Sequence, residues 1–184
     1  MSSSRLRLLV LQNHLVPNHD QIVGFISKNE VDGKNTDEYT AREIQVDDYE
    51  RGYLSLLSQL TTVGNISRRE FKEQLDRMPK DTYRIVVIEH PITHKIVAAA
   101  TVFVEKKFVH QCGSVGHIED VVVDENIRGK YLGIKVIEAC KQFAEQQGCY
   151  KTILDCSEKN VPFYERCGFK KKELQMRFDH PEKK

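Results

Sequence analysis

A short apolar strand that runs directly into a basic, glycine-containing turn constrains the fold of this chain more than any other feature. Residues 117–133 read HIEDVVVDENIRGKYLG, which predicts a strand over 118–123, a polar connection over 124–126 and a helix opened by residues 128–133. The first N–H groups of a helix lack intrahelical partners, and the helix dipole favours negative charge there. Arg128 and Lys130 add two cations. The stretch therefore indicates a site for the phosphate or pyrophosphate of a phosphorylated cofactor.

Length and charge limit the classes of protein to which the chain can belong. The 184 residues predict one folded domain with a substantial core. With 28 basic and 27 acidic residues, the chain has no overall field that would favour nucleic acid or an anionic membrane. We therefore expect neither as a partner, and any anion binding must be local.

The cysteines and histidines argue against a metal centre. The five cysteines are odd in number and contain no Cys-x-x-Cys pair, so they indicate neither a disulfide framework nor a zinc site. His90 and His94 are four residues apart, but Pro91 disfavours the helix that would align them on one metal ion, and we expect them in a turn. These features predict reduced thiols, a cytoplasmic protein and no metal.

The N-terminal segment differs from the rest of the chain. It contains a brief apolar run over 8–11 and then a polar stretch, and the run is too short for a membrane span or for the core of a signal peptide. We expect a loosely ordered extension over 1–36, followed by the main folded domain over 37–184. A targeting arm is the alternative for the extension, because no acidic residue precedes Asp20.

Regular patterning over the remaining residues predicts strands interleaved with helices, which gives an α/β or α+β layered domain around a mixed sheet. Two capping boxes, Asp47 with Glu50 and Ser67 with Glu70, open amphipathic helices that end near Gly64 and Pro79. The other elements are an opening strand over 39–44, a hairpin over 83–89 and 96–105 with a possible extension over 107–110, a helix over 129–147, a strand over 150–156, a helix over 160–167 and a final strand over 174–178.

The motif at 128–133 carries a family resemblance. RGKYLG resembles the acyl-CoA loop of the GCN5-related N-acetyltransferases (GNAT), whose usual pattern is Arg or Gln, two residues, Gly, one residue, and Gly or Ala. Arg128 and Gly133 match, whereas Tyr131 replaces the middle Gly. The segments GHIEDVVV, CYKTILDCSEKNVPFYERCGF, KKFVH and LTTVG resemble the eukaryotic glucosamine 6-phosphate N-acetyltransferases. The resemblance implies a GNAT fold, a mixed and mostly antiparallel central sheet flanked by helices, with acetyl-CoA between two splayed parallel strands.

The resemblance also implies which residues hold acetyl-CoA and assist the leaving thiolate. Tyr131 can replace Gly if it has helical torsions, since Gly is obligatory only where φ is positive or where the backbone comes very close to another group. Tyr164 is expected to donate a proton or hydrogen bond to the departing sulfur, although a Tyr on a short helix, taken alone, is more often a packing residue. The backbone N–H of Val121 or Val122 is our hypothesis for the oxyanion donor. The implied cofactor set is Val121, Val122, Val123, Arg128, Gly129, Lys130, Tyr131, Leu132, Gly133, Asn160, Phe163 and Tyr164.

Three carboxylates are candidates for the acceptor site. Glu119 and Asp120 are adjacent, so on a regular strand they face opposite sides, unless a β-bulge re-aims one of them. Charged residues at the end of an apolar strand are often only solvated ends. The resemblance instead places both in the sugar site, with Asp155 from the neighbouring strand end. The general base stays open between one of these carboxylates, a backbone carbonyl and a water.

A second cationic pocket is implied for the sugar phosphate. Lys107, Phe108, Val109 and His110 match the family's phosphate-binding segment, Thr61 matches a hydroxyl contact, and Arg177 is a further candidate although the spacing around it departs from the family. In the family, parts of this pocket come from the second subunit of a homodimer. Without the resemblance, KKFVH is an edge strand protected by lysines.

These assignments predict transfer of acetyl from acetyl-CoA to the amine of D-glucosamine 6-phosphate, giving N-acetyl-D-glucosamine 6-phosphate and CoA for UDP-N-acetylglucosamine biosynthesis. We expect direct transfer in a ternary complex, because no cysteine has a sequence-evident base. Two rivals stay open: a GNAT enzyme that acetylates a polyamine or protein amine, and a non-catalytic acyl-CoA-binding module that regulates a partner.

Overall fold

A mixed five-stranded sheet forms the centre of the domain. The computed structural model describes residues 38–181, and its strands lie in the order β1-β2-β3-β4-β5. The first four are antiparallel neighbours, whereas β4 and β5 are parallel. The strands are β1 (Ala41–Glu43), β2 (Tyr83–Glu89), β3 (Ile96–Lys106), β4 (Ser114–Val123) and β5 (Cys149–Leu154). The predicted mixed, mostly antiparallel sheet is confirmed.

Helices cover both faces of this sheet. They are α1 (Tyr53–Leu57), α2 (Arg68–Arg77), α3 (Leu132–Gln146) and α4 (Val161–Arg166), with 3-10 turns at Val46–Tyr49, Glu125–Ile127 and Glu158–Asn160. A further four-residue turn, Val109–Cys112, is irregular because its inner residues are left-handed. Successive residues of a strand point to opposite faces. Thus Val86 and Ile88 of β2 pack in the core under α3, whereas Ile85 and Val87 pack in a second core with α1 and α2.

The first predicted helix is interrupted. Gly52 has φ of 84° and separates the turn Val46–Tyr49 from α1. The capping pair also lies two residues before the predicted Asp47 and Glu50: it consists of Gln45 and Asp48, whose carboxylate accepts from the Gln45 N–H at 2.8 Å. The prediction of an Asp47–Glu50 box is therefore wrong. The second box is confirmed: Glu70 accepts from the Ser67 N–H at 2.8 Å and opens α2.

The β2–β3 hairpin is confirmed, and both of its histidines lie in or beside the turn. His90 Nδ1 accepts from the N–H groups of Ile92 and Thr93 at 3.2 and 3.3 Å. His94 Nδ1 lies 2.6 Å from Glu89 Oε1. Each ring is therefore engaged in holding the turn.

Residues 107–113 reverse the chain between β3 and β4, so the predicted strand extension over 107–110 is wrong. The Lys107 N–H donates to the Gly113 carbonyl at 2.9 Å. His110, Gln111 and Cys112 are all left-handed, with φ of 52°, 57° and 60°. Because β3 and β4 are antiparallel neighbours, their connection must turn back at this point rather than continue the sheet.

The predicted strand over 174–178 is likewise absent from this chain, because residues 169–181 have no regular secondary structure. Its apolar residues are solvent-exposed, with Leu174 at 82%, Met176 at 92% and Phe178 at 80%. The expectations for residues 1–36 lie outside the described residues. Between residues 38 and 181, no helix is long and apolar enough to cross a membrane.

A buried ion network joins β1, the turn Val46–Tyr49 and the end of β2. The Asp48 side chain is fully buried, and both of its oxygens accept from the Arg42 guanidinium, at 2.7 and 2.8 Å. Arg51 donates to the same carboxylate at 3.0 Å, and Arg42 also pairs with Glu89 at 2.8 Å. Burial alone raises the pKa of Asp48, but the hydrogen bonds from Arg42, Gln45 and Arg51 bring it below its usual value.

Removal of Asp48 is expected to destabilise the domain strongly. Asp48→Ala removes the buried carboxylate that Arg42 and Arg51 share, leaves only Glu89 beside these two partly buried arginines, and should lower the free energy of unfolding by about 3–5 kcal/mol. The control Asp47→Ala breaks only an exposed pair with Arg68 and should cost less than about 1 kcal/mol. Denaturant unfolding measures both, and equal losses would contradict this account.

The same network gives an acid dependence of stability. Because the folded pKa of Asp48 is lowered, its contribution is present above the unfolded value of about 3.9 and is lost as the pH falls through the folded value. Asp48→Asn should lack that part of the acid transition.

Candidate active site

The two parallel strands separate before β4 ends. Their pairing begins with Ser114 opposite Cys149 and ends with Ile118 opposite Leu154. β5 stops at Leu154, whereas β4 continues to Val123. Within residues 38–181, residues 119–123 therefore pair only with β3, and the backbone donors and acceptors of their other edge face the cleft between the two separated strands.

A β-bulge lies in β4 where this cleft begins. Val122 is opposite Ala99 and Glu119 is opposite Thr101, so two residues of β4 oppose the single residue between them on β3. Asp120 is one of the two and has φ of 51°. The bulge suggested by the sequence is thus present, and the Glu119 and Asp120 side chains are both exposed rather than one being turned into a core.

The bulge brings carboxylates together. Although the Glu119 side chain is exposed overall, partial burial of its carboxyl raises its pKa, and repulsion from Asp155 and then Asp120 raises it further. Asp155 follows directly after β5, so the ends of the two parallel strands supply all three groups. Such a cluster attracts an ammonium group, and a carboxyl whose pKa is raised toward neutrality suits a general base.

Tyr164 lies on α4 and faces the same cluster. Burial raises the pKa of its phenol to about 12, with further contributions from Cys156, Cys167 and Glu119. Its ring packs against Phe163 and Phe169, with centroids 5.0 and 6.2 Å apart. The ring is therefore a packing element, and its hydroxyl is a protonated hydrogen-bond donor at neutral pH.

The predicted anion-binding turn opens α3, but its backbone differs from our expectation. Tyr131 has φ of 59° and is left-handed, so the helical torsions expected for it are wrong. Gly129 is also left-handed, with φ of 87°, and α3 begins at Leu132 rather than at Gly129. Left-handed residues at a helix start occur in backbone nests, concavities of N–H groups that bind anions. The turn thus has a tyrosine in a conformation that usually favours glycine, and anion binding there stays a prediction.

Gly133 allows α4 to pack on this turn. A Cβ atom at Gly133 would lie 3.0 Å from Cζ of Phe163 and 3.5 Å from Cγ2 of Val123. Only a residue without a side chain fits comfortably between the end of β4 and α4. The close contact places the segment that carries Tyr164 next to the start of α3.

The candidate phosphate-binding segment lies in the β3–β4 loop. Lys107 pairs with Glu105 at 2.7 Å, and Glu105 also contacts His117 Nε2 at 3.0 Å. The ring of His110 lies over Tyr150, with centroids 4.1 Å apart. Phe108 is 93% exposed and Val109 is also exposed. The loop thus presents to solvent a lysine that is paired with Glu105 and an apolar tip formed by Phe108 and Val109.

The remaining predicted residues are more scattered. Thr61 is exposed just after α1, and its N–H donates to the Leu57 carbonyl at 3.2 Å. Arg177 lies in the exposed C-terminal segment and pairs with Asp179 at 2.7 Å. Within residues 38–181, one group of electrostatically interacting side chains contains Glu119, Asp120, Asp155 and Tyr164. Neither Thr61 nor Arg177 belongs to this group.

Two tyrosines beside the carboxylates were not singled out from the sequence. Burial raises the pKa of Tyr83, and Asp120 and Glu119 raise it further. Burial also raises the pKa of Tyr53, with Asp120 as the next cause. Only their positions in the sequence could have indicated these two residues: Tyr83 begins β2, and Tyr53 begins α1 on the same side of the sheet.

Comparison with known proteins gives consistent matches. The model of the "Acetyltransferase (GNAT) family" matches residues 41–169. The chain is 47% identical over 137 residues to glucosamine 6-phosphate N-acetyltransferase 1 of Dictyostelium discoideum, covering 73% of this chain and 87% of that protein. It is 44% identical over 140 residues to the enzyme of that name from Arabidopsis thaliana, covering 75% and 94%.

A solved structure agrees with these sequence matches. The crystal structure of glucosamine-6-phosphate N-acetyltransferase from Arabidopsis thaliana superposes with a TM-score of 0.76 at 42% identity, covering 78% of this chain and 99% of that one. The match extends over nearly the whole of the solved chain, so it includes the strands and helices that form the cleft.

Proposed function

This chain belongs to the glucosamine 6-phosphate N-acetyltransferases within the GNAT family, and we propose that it transfers acetyl from acetyl-CoA to the amine of D-glucosamine 6-phosphate. The products are N-acetyl-D-glucosamine 6-phosphate and CoA, and the reaction supplies UDP-N-acetylglucosamine biosynthesis. The observation that carries the proposal is the open edge of β4, which lies between an anion-binding turn and a group of three carboxylates. The cofactor and the amine can therefore meet at one strand end.

The proposed cofactor site follows the unpaired edge of β4. Acetyltransferases of this family use acetyl-CoA. The amides of its pantetheine arm resemble a strand and can pair with the free backbone of residues 121–123. The pyrophosphate then reaches the N–H groups of residues 128–133 at the start of α3, where the helix dipole favours its charge. Asn160 and Phe163 close the other wall from the side of α4.

The proposed chemistry is direct attack of the amine on the thioester. The ammonium form of the sugar must first lose a proton, and Glu119 is the carboxyl whose raised pKa best suits that step. The N–H of Val121 or Val122 stabilises the oxyanion that forms as the new C–N bond is made. The C–S bond then breaks, and Tyr164 donates to the departing thiolate because its phenol stays protonated near neutrality.

The sugar phosphate is proposed to bind near the β3–β4 loop. Lys107 and His110 provide the cationic groups, with Phe108 and Val109 beside them, and Thr61 and Arg177 complete the pocket. In this structure Lys107 is paired with Glu105, so a dianionic phosphate must compete with one carboxylate. Its greater charge and three acceptor oxygens favour that exchange.

We further propose that the protein is a homodimer and that the second subunit completes this pocket. Among the strands that the structure describes, none neighbours the outer edge of β5, and Tyr150 and Ile153 on that strand are exposed. Leu174, Met176 and Phe178 alternate along the C-terminal segment and are exposed as well. An alternating segment from one subunit can cover the edge strand of the other.

Oligomeric state is measured by sedimentation velocity at micromolar concentration. We expect twice the mass of one chain, and Met176→Glu should give monomers with reduced turnover because a charge would enter the interface. Ile92→Glu is the matched control, since Ile92 is equally exposed but lies in the β2–β3 turn. A fully active wild-type monomer would refute the shared pocket.

The free thiols support a cytoplasmic location. Cys112 and Cys156 are exposed and unpaired, and Cys140, Cys149 and Cys167 are free as well. Exposed reduced thiols persist most readily in a reducing compartment. We therefore place the reaction in the cytoplasm.

The reaction is tested by measuring release of CoA thiol from acetyl-CoA with three acceptors. We expect rapid release with glucosamine 6-phosphate and little with unphosphorylated glucosamine or spermidine. Release with spermidine would instead indicate a polyamine acetyltransferase. Acetyl-CoA binding without turnover on any acceptor would indicate a non-catalytic acyl-CoA-binding module.

Tyr164→Phe tests the leaving-group step. Loss of the hydroxyl should lower kcat by about ten- to a thousandfold, while the Kd for acetyl-CoA changes little because the ring still packs against Phe163. Cys156→Ala is the control: Cys156 is exposed and close enough to affect Tyr164, but direct transfer needs no cysteinyl intermediate. An unchanged kcat in Tyr164→Phe would mean that Tyr164 contributes only to packing. A hundredfold fall in kcat in Cys156→Ala would contradict direct transfer.

A further inference from the structure

Tyr39 contacts lysines on both sides of the anion-binding turn. Lys130 Nζ donates to the Tyr39 hydroxyl at 3.1 Å and lies 5.2 Å from the centre of its ring. Lys135 Nζ donates to the Tyr39 backbone carbonyl at 2.8 Å. Lys130 precedes Tyr131 in the turn, and Lys135 is in the first turn of α3, where its N–H donates to the Tyr131 carbonyl at 3.1 Å. One residue from the start of the domain thus contacts both flanks of the turn.

Tyr39 is itself firmly held. It is only 4% exposed and packs in the core under α3 with Val86 and Ile88. Its ring also meets the edge of His90, with centroids 5.7 Å apart. A buried aromatic ring with fixed neighbours is a rigid anchor, whereas lysine side chains that carry only solvent contacts are not.

The turn needs such an anchor because Tyr131 is left-handed. A non-glycine residue at positive φ is disfavoured because its Cβ crowds the backbone, and it persists only when neighbouring contacts favour it. Tyr131 is about half exposed, so burial of its own side chain offers limited compensation. The contacts from Tyr39 act on the residues immediately around it.

We propose that Tyr39 is a positioning residue for the cofactor's pyrophosphate: it holds Lys130 and the start of α3 so that the turn is formed before the anion arrives. Tyr39 touches neither reactant. It holds the positive charge of the Lys130 ammonium beside the turn, so the entropy of ordering that side chain is not lost during binding. The inference rests on the proposed function, since it assigns acetyl-CoA to this turn.

This role has a specific kinetic signature. Loss of positioning at the pyrophosphate should weaken cofactor binding without changing the reacting atoms or the sugar site. KM and Kd for acetyl-CoA should therefore rise, whereas kcat and KM for the sugar phosphate should not. General loosening of the fold would instead change all of these values.

The experiment measures CoA binding by calorimetry and full kinetics for Tyr39→Phe, Lys130→Met and the double variant. Tyr39→Phe keeps the ring but loses the hydroxyl, and we expect the Kd for CoA to rise by about three- to tenfold, the range of one hydrogen bond. Lys130→Met should give a similar rise. The double variant should bind no more weakly than the weaker single variant, because both changes remove the same contact.

Tyr49→Phe is the matched control. Its hydroxyl donates to the Ile66 carbonyl at 3.0 Å on the α1 and α2 side of the sheet, so it loses one comparable hydrogen bond away from the turn. We expect its Kd for CoA to be unchanged. A thermal melt checks that each variant is folded.

Three results would overturn the inference. The first is an unchanged Kd for CoA in Tyr39→Phe, and the second is an equal rise in KM for both substrates. The third is a double variant in which the effects of the two single variants multiply, because Lys130 would then bind the anion without help from Tyr39. A wild-type protein that binds no CoA would instead remove the proposed function, so the two failures are distinguishable.

Discussion

The early end of β5 is the constraint on which the rest of the site depends. β4 and β5 pair only as far as Ile118 and Leu154, and β4 then continues with one free edge. The other edge stays bonded to β3, so the unpaired residues are held in an extended conformation. A strand that is rigid on one side and open on the other can accept a ligand that itself resembles a strand.

The bulge at Asp120 makes the same strand end suitable for a second reactant. In a regular strand, Glu119 and Asp120 would point to opposite faces. The extra residue opposite β3 alters this alternation, and both carboxylates, together with Asp155, lie at the mouth of the cleft. Tyr164 enters from α4, whose approach to α3 depends on the missing side chain at Gly133. The free edge of β4, the three carboxylates and Tyr164 thus lie close together because β5 ends early, β4 has a bulge at Asp120 and Gly133 has no side chain.

Much of this arrangement could be predicted from the sequence, and the failures have physical causes. Residues 117–133 indicated a strand, turn and helix because apolar periodicity and helix-start signals agreed. The left-handed Tyr131 could not be predicted, since tyrosine rarely adopts positive φ and its anchor, Tyr39, is ninety-two residues earlier in the sequence. The first capping box was placed two residues late, because Asp47 and Glu50 are residue types typical of such a box. The burial of Asp48 against Arg42, which selects Gln45 with Asp48 instead, is a tertiary contact that the local sequence does not show. The alternation of Leu174, Met176 and Phe178 indicated a strand, but a strand needs a neighbour to pair with, and none of the described strands pairs with this segment.

The most direct measurement of the central claim is amide hydrogen exchange of residues 121–123 by NMR, with and without saturating CoA. If the pantetheine arm pairs with the free edge of β4, at least one of these amides should exchange about tenfold more slowly in the complex. Amides of β3, already paired in the free protein, should change little. Protection confined to other segments, with CoA bound, would show that the open edge of β4 is not the cofactor site.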